Sequence, residues 1–189
     1  QAVFDKLQSE CNVHLPTWDG WDTLKCMHEA HAGNVRFASC LRGNLFGANP
    51  DARFMHEAFA KIDMVLYMST TLNTGHAWGR GRETILLPVL ARDEEAQATT
   101  QESMFNYVRM SDGGTARHAG PRSEVDILAS IAQAALGDRP GVPFQWNALK
   151  DHVALRGMIA HIVPGHAKIS DIDRTKKEFT IDGRVFHEP

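Results

Sequence analysis

Residues 35–51, VRFASCLRGNLFGANPD, contain an apolar run of strand length, a Gly-Asn turn and the start of a helix. Residues 64–74, MVLYMSTTLNT, repeat the order of apolar run and polar turn, and residues 84–88, TILLP, supply a third apolar run. Such runs, alternating with a helical segment, are typical of parallel strands buried on both sides. We therefore predict an α/β fold, a Rossmann-like parallel or mixed sheet flanked by helices in three layers.

Polar turns follow the first and second predicted strands. In parallel sheets, the loops that leave the carboxyl ends of the strands form the binding crevice. Here those loops are Gly43-Asn44 and Ser69–Thr74. Glycine lets a backbone approach a ligand closely, hydroxyls and amides can bind ribose and base, and the helix start near Asp51 offers free N–H groups. The pattern predicts a nucleotide-like ligand at these loops.

Several familiar signatures are missing from the sequence. It has no Gly-x-Gly-x-x-Gly fingerprint and no phosphate-binding Gly-x-x-x-x-Gly-Lys-Ser loop, which disfavours an ordinary dinucleotide or ATP site. It also lacks a Gly-x-Ser-x-Gly nucleophile elbow. The three cysteines are far apart and form no Cys-x-x-Cys pair for zinc or an iron–sulfur cluster. We predict no catalytic nucleophile and no metal ligand in this chain.

Composition sets the broad class. The chain has 189 residues, 43% of them hydrophobic and 23% charged, as expected for a globular domain with a sizeable core. Its net charge of -3 gives no support to a nucleic-acid partner, since binding phosphates needs a basic face. No apolar run approaches the ~20 residues that span a bilayer, and no signal segment opens the chain. We expect a cytoplasmic protein without membrane contact.

The second half of the chain predicts further elements. Residues 104–108 resemble a strand, and a helix should follow Ser123, which with Asp126 approximates a capping box. A Pro- and Gly-rich stretch from Asp138 marks a break in composition. We therefore predict an α/β ligand-binding domain in residues 1–137, and a helix with an extended tail in residues 138–189.

Five segments follow one another in a distinctive order, namely Arg42-Gly43-Asn44, Ser69–Thr74, Thr84–Pro88, Thr99–Ser103 and Gly120–Glu124. In this order they resemble a known family, the alpha subunits of formate dehydrogenase-like molybdopterin oxidoreductases. The resemblance covers residues 21–137 most clearly.

The resemblance implies a cofactor and its contacts. In that family this region is the later half of a discontinuous domain that binds one guanosine arm of bis(molybdopterin guanine dinucleotide), which carries molybdenum. By position, the implied cofactor-binding residues are Gly43, Asn44, Ser69, Thr70, Asn73, Thr74 and Glu124. Glu124 falls where the family often places an acidic residue toward guanine.

The resemblance also implies partners. The metal ligand, and an iron–sulfur cluster where one exists, would lie in other domains of a parent subunit, with residues 138–189 leading toward the next domain. A chain that opens on Gln1 favours such a fragment, which would not turn over substrate alone. Its exposed domain edges could support self-association.

Two other functions remain open. One is a free-standing Rossmann-like module that binds a nucleotide or serves as an assembly surface without chemistry. The other is an independent hydrolase that uses His76 or the acidic cluster Asp93–Glu95. Adjacent carboxylates in a polar loop offer no asymmetry of pKa, which makes the hydrolase the weakest of the three hypotheses.

Overall fold

The computed structural model describes residues 2–137, 139, 141 and 144–181. The α-helices are α1 (Ala2–Cys11), α2 (Thr23–Ala32), α3 (Leu45–Ala48), α4 (Ala52–Phe59), α5 (Thr74–Trp78), α6 (Glu124–Leu136), α7 (His152–Ile162) and α8 (Ile172–Thr175). The strands are β1 (Phe37–Leu41), β2 (Met64–Ser69), β3 (Glu83–Pro88), β4 (Thr99–Glu102), β5 (Tyr107–Ser111) and β6 (Phe179–Thr180). Short 3₁₀ helices span Trp146–Lys150 and Ala167–Ile169.

The chain forms two compact units. The parallel unit comprises residues 17–89 and 120–122. The antiparallel unit comprises the described residues of 1–16, 90–119 and 123–189. Asp138, Pro140, Val142 and Pro143 lie outside the described residues, so the division expected at residue 138 remains a prediction.

The parallel unit is built on a sheet in the order β1-β2-β3, with both strand pairs parallel. In its register, Phe37 pairs with Met64 and Met64 with Glu83. A single parallel bridge from Val89 to Arg122 extends the pairing beyond β3. The predicted α/β class, with a parallel sheet flanked by helices, is confirmed.

Helices α2 and α4 pack with one face of this sheet. Phe59, Met55 and Ala58 on α4 join Val65 and Tyr67 of β2 in a single apolar core. The start of α4 is fixed by Asp51, whose carboxylate accepts a hydrogen bond from the Phe54 N–H at 2.9 Å. Helix α2 ends at Gly33, which adopts a φ of +86° that glycine tolerates without steric cost. The helix predicted after Asp51 is therefore confirmed.

The expectation that every strand is buried on both sides is wrong for β1 and β3. Only the central strand β2 is buried along most of its length. On the edge strands, Phe37 is 55%, Leu41 50% and Ile85 37% exposed. A parallel strand is covered on both faces only where neighbouring elements reach it, and edge strands have fewer neighbours. The three side chains lie on the same face of the sheet, at its two opposite edges, and we call these exposed apolar positions together the edge surface.

The antiparallel unit contains a second sheet, in the order β4-β5-β6. Its core consists of buried apolar side chains from the sheet and the C-terminal helices, namely Val108, Ile169, Ile172, Phe179 and Ile181. The strand expected in residues 104–108 is displaced, since β5 begins only at Tyr107. Residues before it form a turn closed by the Ser103 N–H donating to the Tyr107 carbonyl at 2.9 Å, with Asn106 at a φ of +62°.

Two further details differ from expectation. Ser123 occupies the N-cap of α6, but its side chain makes no capping hydrogen bond, so the predicted capping box does not form. The helix predicted within residues 138–189 is divided into a 3₁₀ helix and α7 at Asp151, whose side chain accepts from the Val153 N–H at 2.8 Å and starts α7. Within the described part of the chain, no helix has the length and apolar character needed to cross a membrane.

Candidate functional site

Two turns at the carboxyl edge of the parallel sheet lie against each other. Arg42–Asn44 follows β1, and the turn after β2 ends at Thr74. The Asn44 side-chain amide donates from Nδ2 to Thr74 Oγ1 at 3.0 Å. In return, the Asn73 Nδ2 donates to the Gly43 carbonyl at 3.1 Å. The structure thus brings Gly43, Asn44, Asn73 and Thr74 together, and we call this pair of reciprocal hydrogen bonds the loop lock.

The two asparagines also begin short helices. Asn44 Oδ1 accepts from the Gly47 N–H at 2.8 Å, at the start of α3. Asn73 Oδ1 accepts from the Gly75 N–H at 2.9 Å, at the start of α5. Asparagine is among the preferred N-cap residues because its oxygen satisfies an unpaired helix N–H. Each amide therefore bonds within the protein at both its oxygen and its nitrogen, and shapes the loops.

His76 and Gly75 complete this arrangement, a role that was not predicted for either residue from the sequence. The Asn73 N–H donates to Nδ1 of His76 at 3.0 Å, which closes a capping box. Partial burial lowers the pKa of His76 and so favours the neutral ring that this acceptor role requires. The available signal was the spacing Asn-Thr-Gly-His, a cap residue followed three positions later by a side chain that can accept.

The turn after β1 has an uncommon backbone. Arg42 and Gly43 are consecutive residues with left-handed φ values of +57° and +66°. A non-glycine residue in this region is uncommon and carries a conformational cost. The Arg42 N–H donates to the Met68 carbonyl at 2.8 Å and so ties the turn to β2. A Cβ atom added to Gly43 would meet nothing within 4 Å, so one side of the turn is open.

Hydroxyl groups occupy the turn that follows β2. Ser69 is the last residue of β2, and its Oγ donates to the Thr71 carbonyl at 2.8 Å. Thr70 and Thr71 are exposed, and Leu72 is 76% exposed. No residue from Ser69 to Thr74 has a formal charge. This surface is neutral and rich in groups that both donate and accept hydrogen bonds.

Glu124, the remaining residue implied by the resemblance, is the first residue of α6 in the antiparallel unit. Its expected contact with guanine remains a prediction. Cys11, Cys26 and Cys40 are free thiols, and burial raises the pKa of Cys40, which disfavours its thiolate. Among the residues that the structure describes, no group of three or more His, Cys, Asp or Glu is placed to hold a metal ion.

Comparison with curated proteins finds relatives in mycobacteria. One protein of Mycobacterium bovis and two of Mycobacterium tuberculosis, each named an uncharacterized oxidoreductase, are 29% identical to this chain over 167 residues. Each alignment covers 84% of this chain, which spans about a fifth (21%) of the length of these relatives. No protein-family model matches the chain.

Proposed function

We propose that this chain binds a guanosine arm of bis(molybdopterin guanine dinucleotide) as part of a formate dehydrogenase-like molybdenum oxidoreductase. The observation that carries the proposal is the loop lock, which holds the turns after β1 and β2 side by side at the carboxyl edge of a parallel sheet. Ligands of open α/β sheets bind at this edge. The five segments that resemble the family, together with relatives named oxidoreductases, support the choice of cofactor.

The residues present fit such a group. Gly43 leaves open space on the first turn, where a nucleotide can approach the backbone closely. Thr70 and Thr71 are exposed in the turn after β2, and their hydroxyls suit ribose hydroxyls and the polar edge of a base. Leu72, largely exposed, offers an apolar surface to the face of a purine. The left-handed Arg42 adds backbone strain of the kind that concentrates at binding sites.

The residues divide into two roles. Asn44, Asn73 and Thr74 position the loops, because their side chains bond across the lock. Gly43, Ser69 and Thr70 contact the guanosine. When bound, the cofactor supplies the two-electron redox chemistry, while this chain binds and orients it.

Other domains of a longer protein complete the enzyme in this proposal. The relatives extend well beyond the aligned region, since the chain covers 21% of their length. The edge surface of Phe37, Leu41 and Ile85 is the part of the parallel unit that these domains would cover. In the isolated chain, the same apolar side chains favour self-association. The metal ligand and any iron–sulfur cluster belong to those other domains.

Nuclear magnetic resonance can test whether the loops select guanosine. We expect guanosine monophosphate to shift the amide signals of Gly43, Thr70 and Thr71, with adenosine monophosphate giving much weaker shifts. Thr70→Val keeps the side-chain shape and removes one hydroxyl, so it should weaken binding by up to about tenfold, the value of one neutral hydrogen bond. Thr180→Val, at an exposed position on β6, serves as the matched control and should bind like the wild type.

Each result of this titration has a definite meaning. Equal shifts with both nucleotides would favour the free-standing nucleotide-binding module over a guanosine site. Shifts confined to residues outside the two turns would remove the site assignment. Binding unchanged by Thr70→Val would exclude that hydroxyl as a contact.

A further inference from the structure

The antiparallel unit contains a polar cavity that the guanosine proposal does not use. Its volume is about 230 Å³. It is lined by Arg92, Thr99, Gln101, Arg109, Met110 and Ser111. Among the described residues that line it, none is acidic. The cavity is smaller than the ~300 Å³ at which sites for drug-sized ligands begin, so it suits a small polar group.

The pairing of β4 with β5 places the polar residues of this cavity together. Thr99 pairs with Ser111, and Gln101 pairs with Arg109. Because side chains alternate along a strand, these two pairs share one face of the hairpin. Arg92 joins them, since its Nη1 donates to the Gln101 side-chain oxygen. Arg92 and Arg109 thus both line the cavity, Arg92 bonded to Gln101 and Arg109 at the strand position paired with it.

This arrangement concentrates like charges. Arg92 donates to a neutral acceptor. The Arg109 guanidinium forms no ion pair or side-chain hydrogen bond with the residues that the structure describes. Glu178 lies close enough to interact electrostatically with Arg109. Its two carboxylate oxygens, however, already accept from the Tyr107 hydroxyl at 2.9 Å and the Met110 N–H at 3.0 Å.

The acidic residues next to Arg92 in sequence are also engaged. Arg117 forms an ion pair with Asp93, and its hydrogen bond is the main cause that lowers the pKa of that carboxyl. Glu94 accepts from the Ala91 N–H at 3.0 Å and pairs with the same Arg117 at 3.4 Å. The positive charge at the cavity is therefore not neutralised by its nearest acidic neighbours along the chain.

A buried hydroxyl supplies a second, independent observation. The Thr99 Oγ1 is buried without a hydrogen-bond partner in the described structure. An unsatisfied buried polar group costs about 1–3 kcal/mol, so such groups usually have a partner. A group with several acceptor oxygens, bound in the cavity, would supply an acceptor for the Thr99 hydroxyl.

We propose that this cavity binds a phosphate group. Phosphate offers several acceptor oxygens to planar guanidinium groups, which bind it with paired hydrogen bonds. The hydroxyls of Thr99 and Ser111, on paired positions of β4 and β5, provide the remaining donors. The site lies in the antiparallel unit and does not depend on the guanosine proposal.

Isothermal titration calorimetry with inorganic phosphate tests the proposal on the whole chain. We expect saturable binding that sodium chloride at equal ionic strength does not reproduce. Arg92→Gln and Arg109→Gln should each weaken phosphate binding at least tenfold. Arg174→Gln is the matched control, because it removes one exposed arginine of the same unit and should leave binding unchanged.

A second readout separates loss of the site from loss of the fold. Phosphate should shift the amide signals of Thr99 and Ser111 in the wild type, and Ser111→Ala should weaken binding without removing a charge. Heat of binding equal to that of chloride would overturn the proposal. The proposal would also be overturned if the Arg92→Gln and Arg109→Gln variants folded and bound phosphate as tightly as the wild type.

Discussion

Asn44 and Asn73 show how one residue type can shape two neighbouring turns through its side-chain amide. Each caps a short helix with its oxygen and reaches the opposite turn with its nitrogen. The sequence analysis assigned both as direct cofactor contacts, and that assignment remains a prediction. In the structure their hydrogen bonds hold the backbone of Gly43 and the hydroxyl of Thr74 in place. On our proposal, the contacts to a nucleotide come from the backbone of these turns and from the neighbouring threonines.

The close packing of the two turns joined by the loop lock depends most on Gly75. A Cβ atom at this position would lie 2.7 Å from Asn44 Oδ1 and 3.0 Å from Asn73 Oδ1. Both oxygens are held by capping bonds, so neither can move without breaking one. We expect Gly75→Ala to destabilise the protein by about 1–3 kcal/mol, the usual cost of overpacking. Denaturant unfolding measures this value, and binding of guanosine monophosphate should fall with it.

Gly157→Ala is the control for this substitution. Gly157 lies inside α7, and an added Cβ would meet nothing within 4 Å. The same change there should stabilise the protein by about 0.5–1 kcal/mol, because alanine favours the helix. A stabilising Gly75→Ala variant would contradict the packing described for the loop lock.

At the scale of elements, the central parallel strand was the most predictable part of the chain. Residues 64–68 form an uninterrupted apolar run, and that pattern is specific to a strand in the centre of a sheet. The bounds of the hairpin of β4 and β5 were harder to predict. Met104 and Phe105 look like strand residues, but they lie in the turn before β5 and are 78% and 71% exposed. The pairing of β4 with β5, not local propensity, determines where that turn falls.

The candidate site was predictable in part. The edge of the sheet followed from strand order, since both turns leave parallel strands at their carboxyl ends. The loop lock could not be predicted from strand order, because Asn44 and Thr74 are 30 residues apart and only the folded chain brings them together. The capping role of Asn73 was available in the sequence, from its spacing to His76.

Helices α7 and α8 are joined by a largely buried ion pair. Arg156, with a side chain 4% exposed, bonds Asp173 at 3.1 Å and the Ala98 carbonyl at 2.8 Å. Asp173→Asn would leave the Arg156 charge buried without its counter-ion. We expect a loss of about 3 kcal/mol in unfolding free energy, at the low end for buried pairs because Asp173 keeps some contact with water.

Asp171→Asn is the matched test in the same region. Asp171 pairs with Arg174 at 2.7 Å, but both side chains are largely exposed, at 43% and 77%. Exposed pairs contribute between about 0 and 1 kcal/mol, so this variant should unfold nearly as the wild type does. Equal losses of unfolding free energy in Asp173→Asn and Asp171→Asn would contradict this prediction. They would show that burial of Arg156 does not increase the contribution of its ion pair to stability.

At the scale of the whole molecule, the two candidate binding sites lie in different units. The parallel unit contains the loop lock and the edge surface, and the antiparallel unit contains the phosphate cavity. Relatives named oxidoreductases are several times longer than this chain. On our proposal, the parallel unit contributes cofactor binding to a larger enzyme, and its apolar edge surface marks where further domains pack.

The cofactor content of the complete protein encoded with this chain tests the central claim most directly. Molybdenum can be measured by mass spectrometry, and guanosine monophosphate after acid release. We predict that a Ser69→Ala, Thr70→Val double variant loses molybdenum and guanosine in parallel, while Arg53→Gln, an exposed change on α4, retains both. A double variant that folds and keeps its full molybdenum and guanosine content would contradict the claim that these loops bind the cofactor.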